Sequence, residues 1–467
     1  MLFHSFSFLL FFPLVTGMYF LIPKRAKQLW LLVASYYFYM SWNVQYGCLI
    51  LLVTAIGYGG GLLLAQNKVR QGKRRLAVLT GSVLLCVGIL FFFKYSAFAV
   101  QNINELLRAV GSVRALRVPD LILPVGISFY TFQTIGYLID VWKGKTEAEK
   151  SFLRFALFVS FFPQLVAGPI ERSSSLLAQL REPAEFDYDR VKDGLLLMLW
   201  GYFEKMWIAD RAAILVDQVY QDYRNYSSGM LVFATVLFAV QIYCDFGGYS
   251  HIAIGAAKVL GIRLMDNFRQ PYFAVNCREF WRRWHISLSS WFRDYLYIPL
   301  GGNRKGKART WLNRFLVFFA TGLWHGASWT FVLWGLWHGL FSVLEDCGAI
   351  PVDKLKGKRI GQLYTLLVVV LGFTLFRADT LSQAGAMYAA MFSGIGLHWP
   401  GTAAVWAKFT PAFALTLCLA LLLCTPVARE HTPKRESVTF IGSLGLLLLC
   451  MMYLAAGSFN PFIYFRF

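Results

Sequence analysis

Charged residues are scarce in this chain of 467 residues. They make up 15% of the sequence, whereas 57% of it is hydrophobic; a soluble globular domain carries about a quarter charged residues. Apolar runs of about 17–25 residues, the length that crosses a bilayer as a helix, recur from end to end. The shortage of charge therefore excludes an ordinary soluble protein and predicts an all-α polytopic membrane protein.

Acidic residues are fewer still, since 25 Asp and Glu stand against 45 Lys and Arg and the net charge is +20. On a soluble protein this excess would suggest a nucleic-acid partner. Here the basic residues occupy short loops between apolar runs, where Lys and Arg orient membrane helices and contact anionic lipid. We therefore expect a lipid bilayer around the chain and no nucleic acid as a partner.

Motifs for metals and bound cofactors are also missing. The eight cysteines include no CxxC pair, and most lie in apolar runs, where cysteine is a small buried hydrophobe. The sequence contains no phosphate-binding loop, no dinucleotide fingerprint and no HExxH. We expect no metal and no resident cofactor. The N-terminus lacks a basic region and an AxA-like cleavage site, so residues 3–22 are interpreted as a membrane helix, not a signal peptide.

The apolar runs predict about eleven membrane helices in a single domain, 1–467, with re-entrant and interfacial helices besides. The N-terminal spans cover 1–120 and a core covers 121–345. The C-terminal spans and an aromatic tail cover 346–467. The core includes a strongly basic segment, 263–310, which the positive-inside rule assigns to the cytoplasm. The same rule places both termini on the extracytoplasmic side.

Within the basic segment, aromatic residues recur at helical spacing. Trp281, Trp284, His285, Trp291 and Phe292 fall on one stripe, and Arg282, Arg283 and Arg293 fall on the other side. This pattern predicts an amphipathic helix lying at the cytoplasmic interface. The interpretation leaves unexplained why a histidine stands on the apolar stripe.

The most unusual apolar run, 311–340, carries two of the seven histidines, each in the tetrapeptide LWHG. A histidine at membrane depth is costly and indicates a functional site by default. His325 is followed by Gly326 and Ala327, small residues that leave room for a substrate. His338 comes thirteen residues later, about 140° round a continuous helix. It should therefore face elsewhere unless the helix breaks, and we interpret it as structural.

Five stretches together resemble the membrane-bound O-acyltransferase family, and in particular its bacterial polysaccharide branch, which includes alginate O-acetyltransferases. The family pattern DFSGYSD is here DFGGYSH, with Gly247 and His251, so no role of the second carboxylate is carried over. The stretches are FFPQLVAGPIER (161–172), DFGGYSHIAIG (245–255), NFRQPYFA (267–274), FWRRWHISLSSWFRDYLYIPLGGNR (280–304) and TGLWHGASWTFVLWGLWHG (321–339).

The resemblance implies roles for particular residues around a central tunnel. His325 would be the essential histidine, a general base or proton shuttle for acyl transfer to a hydroxyl. His285 occupies the second family position, which is often Asn or His, and would assist. Trp324 and Trp329 would form the walls of the cavity. Asp245 would support the site, more plausibly through buried hydrogen bonds than through direct catalysis.

The basic segment and the C-terminal tail add two weaker hypotheses. Arg282, Arg283, Arg304 and Lys305 would attract the phosphates of an acyl-CoA donor, although the positive-inside rule explains them equally well. Tyr464, in the tail SFNPFIYFRF, would accept the acyl group and relay it outward. The alternative for this tail is an aromatic anchor at the membrane interface.

The function expected from the sequence is a transmembrane O-acyltransferase of the cytoplasmic (inner) membrane. It would move an acyl group, acetyl above all, from acetyl-CoA or another acyl thioester to hydroxyls of an extracytoplasmic polysaccharide. The resemblance also implies an extracytoplasmic SGNH-type acetyltransferase as a partner. Two alternatives stay open: a D-alanyl or longer-chain acyltransferase, and a transporter or flippase, against which the absence of a repeated half speaks.

Overall fold

A computed structural model describes residues 1–66, 72–112, 114–166, 168–355, 359–393, 410–424 and 436–455. All regular secondary structure in these ranges is helical, in agreement with the predicted all-α class. The α-helices are α1 (Phe6–Leu21), α2 (Lys24–Met40), α3 (Gln45–Ala65), α4 (Lys73–Ala109), α5 (Ile127–Trp142), α6 (Phe152–Ser160), α7 (Phe162–Leu165), α8 (Ser173–Arg181), α9 (Tyr188–Tyr202), α10 (Asp210–Gln221), α11 (Ser228–Val259), α12 (Cys277–Arg283), α13 (Ile286–Phe292), α14 (Lys307–His325), α15 (Trp329–Asp346), α16 (Val352–Leu355), α17 (Arg359–Arg377), α18 (Leu381–Phe392), α19 (Pro411–Leu423) and α20 (Glu436–Ala455).

Among the described residues, four helices are long and apolar enough to cross a membrane: α3, α4, α11 and α17. Shorter apolar segments lie at Phe6–Leu21, Phe413–Leu422 and Thr439–Leu454. Most residues of α4 that face outward are apolar, as a lipid-facing helix requires; Leu84, Leu85 and Phe92 are each more than half exposed. The helices thus support a multi-pass membrane protein, whereas a count of eleven spans stays a prediction.

The chain divides into two units, and the first comprises residues 1–195 and 253–265. Its core contains a cluster of phenylalanines from α1, α2 and α7. The ring of Phe162 lies 5.4 Å from that of Phe11 and 5.7 Å from that of Phe38. Such tilted aromatic pairs add to the free energy of simple area burial.

Pro163 predicts a kinked or re-entrant segment, and the helix does break beside it in this first unit. Helix α6 ends at Ser160, and α7 begins at Phe162. The freed carbonyl of Phe158 accepts hydrogen bonds from the side-chain amides of Gln133 (2.8 Å) and Gln164 (2.9 Å). Both glutamines are buried, so the broken backbone is satisfied inside the protein, as it must be at membrane depth.

The second unit comprises residues 196–252 and 266–467, and two of its helices differ from the sequence prediction. The expected interfacial helix over 281–295 is interrupted, because α12 ends at Arg283 and α13 begins at Ile286. Trp284 and His285, at the interruption, are 2% and 0% exposed. The aromatic stripe is therefore internal packing at this point, and the prediction of one continuous helix was wrong.

The run 311–340 is likewise two helices, α14 and α15, separated at Gly326–Ser328. They pack closely because glycines stand at their crossing. A Cβ on Gly322 would lie 2.4 Å from the carbonyl oxygen of Phe331, and one on Gly335 would lie 2.3 Å from that of Phe318. No side chain fits at either position. The break also removes the basis for placing His338 on a face away from His325.

Candidate active site

His325 is the last residue of α14 and is 3% exposed. The chain turns immediately after it, and the turn is tightly packed, because a Cβ on Gly326 would lie 2.2 Å from the ring of Phe331. The space we expected beside Gly326 is thus filled by Phe331. This close approach of Phe331 explains why glycine is needed there.

His285 occupies the interruption between α12 and α13 in the left-handed backbone conformation, with φ of 43° and ψ of 55°. Such a backbone is uncommon for residues other than glycine, but histidine and asparagine adopt it more readily than most. The carbonyl of His285 accepts the amide of Ser289 at 2.9 Å, starting α13. The interruption turns the histidine inward, where no solvent reaches it.

The two histidines face one another. Their ring centroids lie 6.4 Å apart, with 68° between the planes. Aromatic rings from four helices enclose the pair, and the tryptophan predicted to line the cavity, Trp324, is one of them. The rings in contact are Phe246 (4.6 Å) and Trp324 (5.7 Å) around His285, and Trp324 (5.0 Å), Trp334 (4.9 Å) and Phe376 (5.3 Å) around His325.

Burial determines the protonation of His285, which lies outside the four candidate spans. Desolvation lowers the pKa of its imidazole to about 3, outweighing the opposing effect of its own backbone. The ring is therefore neutral near pH 7 and presents one nitrogen as acceptor and one as donor. Neither nitrogen has a hydrogen-bond partner among the residues that the structure describes. A neutral, unsatisfied imidazole suits a group that hydrogen-bonds a reacting molecule.

Asn267 holds the turn at His285 and was missed by the sequence analysis. Its backbone carbonyl accepts the amide of Ile286 at 2.9 Å, and its side-chain oxygen accepts the hydroxyl of Ser287 at 2.7 Å. Its amide nitrogen donates to Ser250 on α11 at 3.1 Å. The motif NFRQPYFA contains this asparagine, but nothing in the local pattern indicates which loop it anchors.

Asp245 belongs to a buried ionic cluster in the second unit. Its carboxylate and that of Asp210 each lie 2.7 Å from the ammonium of Lys205. Lys205 stands on a π-helix, Phe203–Ala209, a local widening often found at functional sites. The next residue after Asp245 is Phe246, whose ring packs on His285, so the cluster lies next to one wall of the site.

The π-helix carries a second pair beside this cluster. His251, which replaces the family aspartate, has its Nδ1 2.6 Å from a carboxylate oxygen of Glu204. The imidazole of His251 therefore pairs with Glu204, at a position where the family pattern DFSGYSD has an aspartate.

The other predicted site residues lie differently. Trp329 begins α15 and is 50% exposed, so it is not a buried wall of the histidine pair. Arg283 is ion-paired with Glu279 at 2.5 Å, whereas Arg282, Arg304 and Lys305 are exposed. Tyr464 lies outside the described residues.

His338 is close to the site after all, as the helix break allows. It is 1% exposed, and its ring lies 5.2 Å from that of Trp334, which also contacts His325. No group of three or more His, Cys, Asp or Glu side chains able to hold a metal ion occurs in the described part of the chain.

Two facing buried imidazoles in a helical protein suit acid–base chemistry in a site shielded from water, and comparison with known proteins identifies the family. The model of the membrane-bound O-acyltransferase family matches residues 146–347. The chain is 38% identical to the probable alginate O-acetylase AlgI of Pseudomonas putida over the whole of both chains. It is 31% identical to the peptidoglycan O-acetyltransferase of Helicobacter pylori, covering 96% of this chain and 94% of that one.

A more distant similarity, 26% identity, links 49% of the chain with 59% of the teichoic acid D-alanyltransferase of Bacillus subtilis. The chain belongs to the membrane-bound O-acyltransferase family, in its alginate O-acetyltransferase-like branch. It is a multi-pass membrane O-acyltransferase.

Proposed function

We propose that the chain transfers an acetyl group from a cytoplasmic thioester, acetyl-CoA or a similar donor, to a hydroxyl of an extracytoplasmic polysaccharide. The observation that carries this proposal is the facing pair of buried imidazoles, His285 and His325, 6.4 Å apart between centroids. Centroids at this separation leave the ring nitrogens within reach of one small polar group held between them.

In the proposed step, the acceptor hydroxyl oxygen attacks the thioester carbonyl carbon while His325 takes the hydroxyl proton. The carbon–oxygen bond forms, the carbon–sulfur bond breaks, and the proton passes from the imidazolium to the departing thiolate. The neutral ring of His285 donates a hydrogen bond to the oxygen on which negative charge develops. General-base catalysis of this kind contributes roughly 10²- to 10⁴-fold to a rate, and a preorganised donor adds to it.

The choice of acetyl rests on the relatives. The two compared over nearly their full length are named for O-acetyl transfer, whereas the D-alanyl relative is similar over only half of this chain. A D-alanyl or longer-chain donor is therefore the second candidate. Family membership also favours transfer chemistry over the transporter alternative.

On the donor side, the exposed Arg282, Arg304 and Lys305 supply positive charge for donor phosphates. Arg283 contributes less, since Glu279 already neutralises it. On the acceptor side, Tyr464 would take the acetyl group as an ester and pass it to an SGNH-type partner. This arrangement assumes an inner-membrane protein with both termini outside, as the loop charges predict.

The proposal is tested with purified protein and acetyl-CoA labelled in the acetyl group. Wild-type protein should release free CoA and carry or transfer label, and His325→Ala should lose at least about a hundredfold in rate. His251→Ala is the control, because it removes an imidazole that pairs with Glu204, and it should keep most of its activity. Unchanged activity of His325→Ala would refute the assignment.

Intact-mass measurement of the C-terminal peptide separates the finer alternatives. An acetyl adduct on Tyr464 would support the relay, and an alanyl or fatty-acyl adduct would replace acetyl by the second candidate.

A further inference from the structure

Three aromatic side chains beside His325 form a cluster with unsatisfied ring nitrogens. The ring of His338 lies 5.1 Å from that of Trp281 and 5.2 Å from that of Trp334, and the two indoles lie 5.7 Å apart. The Nε1 atoms of both indoles and both nitrogens of His338 are buried. Within the part of the chain that the structure describes, none of these four atoms has a hydrogen-bond partner.

Buried polar atoms are rarely left unpaired, and several in mutual contact need an explanation. Trp337, the neighbour of His338 on α15, shows the ordinary case: its Nε1 donates to the carbonyl of Val368 at 2.9 Å. The cluster differs because its three rings meet at steep angles, 68° to 88° between planes, and its nitrogens have no hydrogen-bond partner among the described residues. A bound molecule that supplies the acceptor accounts for the arrangement.

The chemistry of the cluster limits what that molecule can be. An indole N–H only donates, so the ligand must accept hydrogen bonds. No cation belongs to the cluster, and burying an unpaired anion among aromatic rings would be very costly. The ligand group is therefore neutral. A carbonyl oxygen fits better than the hydroxyls of a sugar, because each hydroxyl brings a proton and only one imidazole nitrogen can accept.

The position of the cluster connects it to the reaction. Trp334 contacts both His338 and His325, so a molecule bound at the cluster reaches the histidine that would act as the base. An acyl thioester donor such as acetyl-CoA has a slender arm that carries amide carbonyls close to its sulfur. Its acyl carbon must come to His325 while the chain lies against apolar walls.

We propose that His338, Trp281 and Trp334 bind an amide carbonyl of the arm of the acyl thioester donor, next to His325. This inference rests on the function proposed above. It assigns His338 to donor binding in place of the packing role that its sequence position suggested. Selection of the donor then depends on a carbonyl in its arm as well as on the acyl group.

The experiment compares two acetyl thioesters with purified wild-type and variant protein. S-acetyl-N-acetylcysteamine has an amide in its arm, and S-ethyl thioacetate has none. Thiol release is followed with a thiol-reactive dye, and the measured quantity is the ratio of kcat/KM for the amide donor to kcat/KM for the amide-free donor. Loss of one buried hydrogen bond should lower this ratio about tenfold.

His338→Phe and Trp281→Phe should each lower the ratio, since both keep an aromatic ring and lose the polar nitrogen. His338→Gln should restore much of it, because glutamine can donate to a carbonyl, and Trp281→Phe carries the test if His338→Phe does not fold. Trp337→Phe, the same substitution on the same helix at an indole with a backbone partner, should leave the ratio unchanged.

An unchanged ratio in both His338→Phe and Trp281→Phe would overturn the inference, and this is the result expected if only water occupied the cluster. In that outcome wild-type protein still releases thiol and the proposed function stands. If wild-type protein releases thiol from neither donor nor from acetyl-CoA, the proposed function fails and this inference fails with it.

Discussion

Ser287 donates twice to the side-chain oxygen of Asn267, from its hydroxyl at 2.7 Å and from its amide at 3.4 Å. The amide of Ile286 adds a third bond, to the backbone carbonyl of the same asparagine. The two residues that follow His285 are thus fixed to one loop residue. Because a left-handed residue is held only where its surroundings determine it, the orientation of His285 depends on Asn267.

Replacement of Asn267 by alanine should therefore impair the reaction without removing any group that touches the substrate. We expect kcat to fall roughly tenfold to a hundredfold, since a small displacement of a reacting group has effects of this size. KM for the donor should change less. The measurement is steady-state thiol release from acetyl-CoA by folded, monodisperse protein.

Ser250→Ala is the matched control for Asn267, because it removes only the 3.1 Å bond at the far side of that residue and leaves both contacts to Ser287. Its effect on kcat should be clearly smaller. Equal effects of the two substitutions would show that Asn267 acts through α11 and not through the turn at His285.

The left-handed backbone also predicts which residues can replace His285. Asparagine adopts this conformation readily, whereas a β-branched residue does not. The free energy of unfolding of His285→Asn should therefore lie within about 1 kcal/mol of the wild-type value. That of His285→Val should be lower by at least about 1–2 kcal/mol more, roughly the cost of a left-handed residue. Thermal unfolding in detergent measures the difference. If His285→Val were as stable as His285→Asn, the turn would not constrain this position.

The resemblance implies Asn or His at this position, and the left-handed backbone is compatible with both residues. Both side chains offer a hydrogen-bond donor and an acceptor, and both residues tolerate positive φ. The shape of the backbone and the chemistry of the site thus restrict the same residue.

The amino-acid pattern was sufficient to predict several membrane helices and the break at Pro163, but not the interruptions at His285 and Gly326. Runs of apolar residues located α3, α11 and α17 because a membrane helix requires such length. The spacing of aromatic residues continues unbroken through His285. Such spacing indicates which residues are buried, and it contains no information about the φ of a single residue between two helices. The break therefore became visible only in three dimensions.

The site was predictable to a similar extent. His325 stood out because histidine is rare in apolar sequence, and His285 stood out because it lies on the aromatic stripe of the basic segment and in a stretch that resembles the family. Trp334, Phe376 and Phe246 did not, because many apolar aromatics surround them in the chain and only packing brings these three to the histidines. Asn267 gave no local signal, since its bonds span about twenty residues.

The crossing of α14 and α15 gives a prediction about stability. Gly335→Ala would place a Cβ 2.3 Å from the carbonyl oxygen of Phe318, so the helices must separate. Overpacking of this kind costs about 1–3 kcal/mol, and because α14 ends at His325, activity should fall as well. Gly81→Ala on α4 is the control, since nothing lies within 4 Å of its Cβ. Equal unfolding temperatures for the two variants would contradict the close crossing.

The buried cluster of Lys205, Asp210 and Asp245 should respond strongly to the loss of its one cation. Lys205→Met leaves two carboxylates facing each other without the ammonium, and breaking a buried ion pair costs about 3–5 kcal/mol. The double variant Lys205→Met/Asp245→Asn should recover part of this loss, because it also removes one of the two negative charges. Lys192→Met, which breaks an exposed pair with Asp189 at 3.1 Å, should cost under about 1 kcal/mol. Asp245 precedes Phe246, whose ring packs on His285, so activity should fall together with stability. If the Lys205→Met protein were as stable and as active as the Lys192→Met protein, the cluster would not support the site.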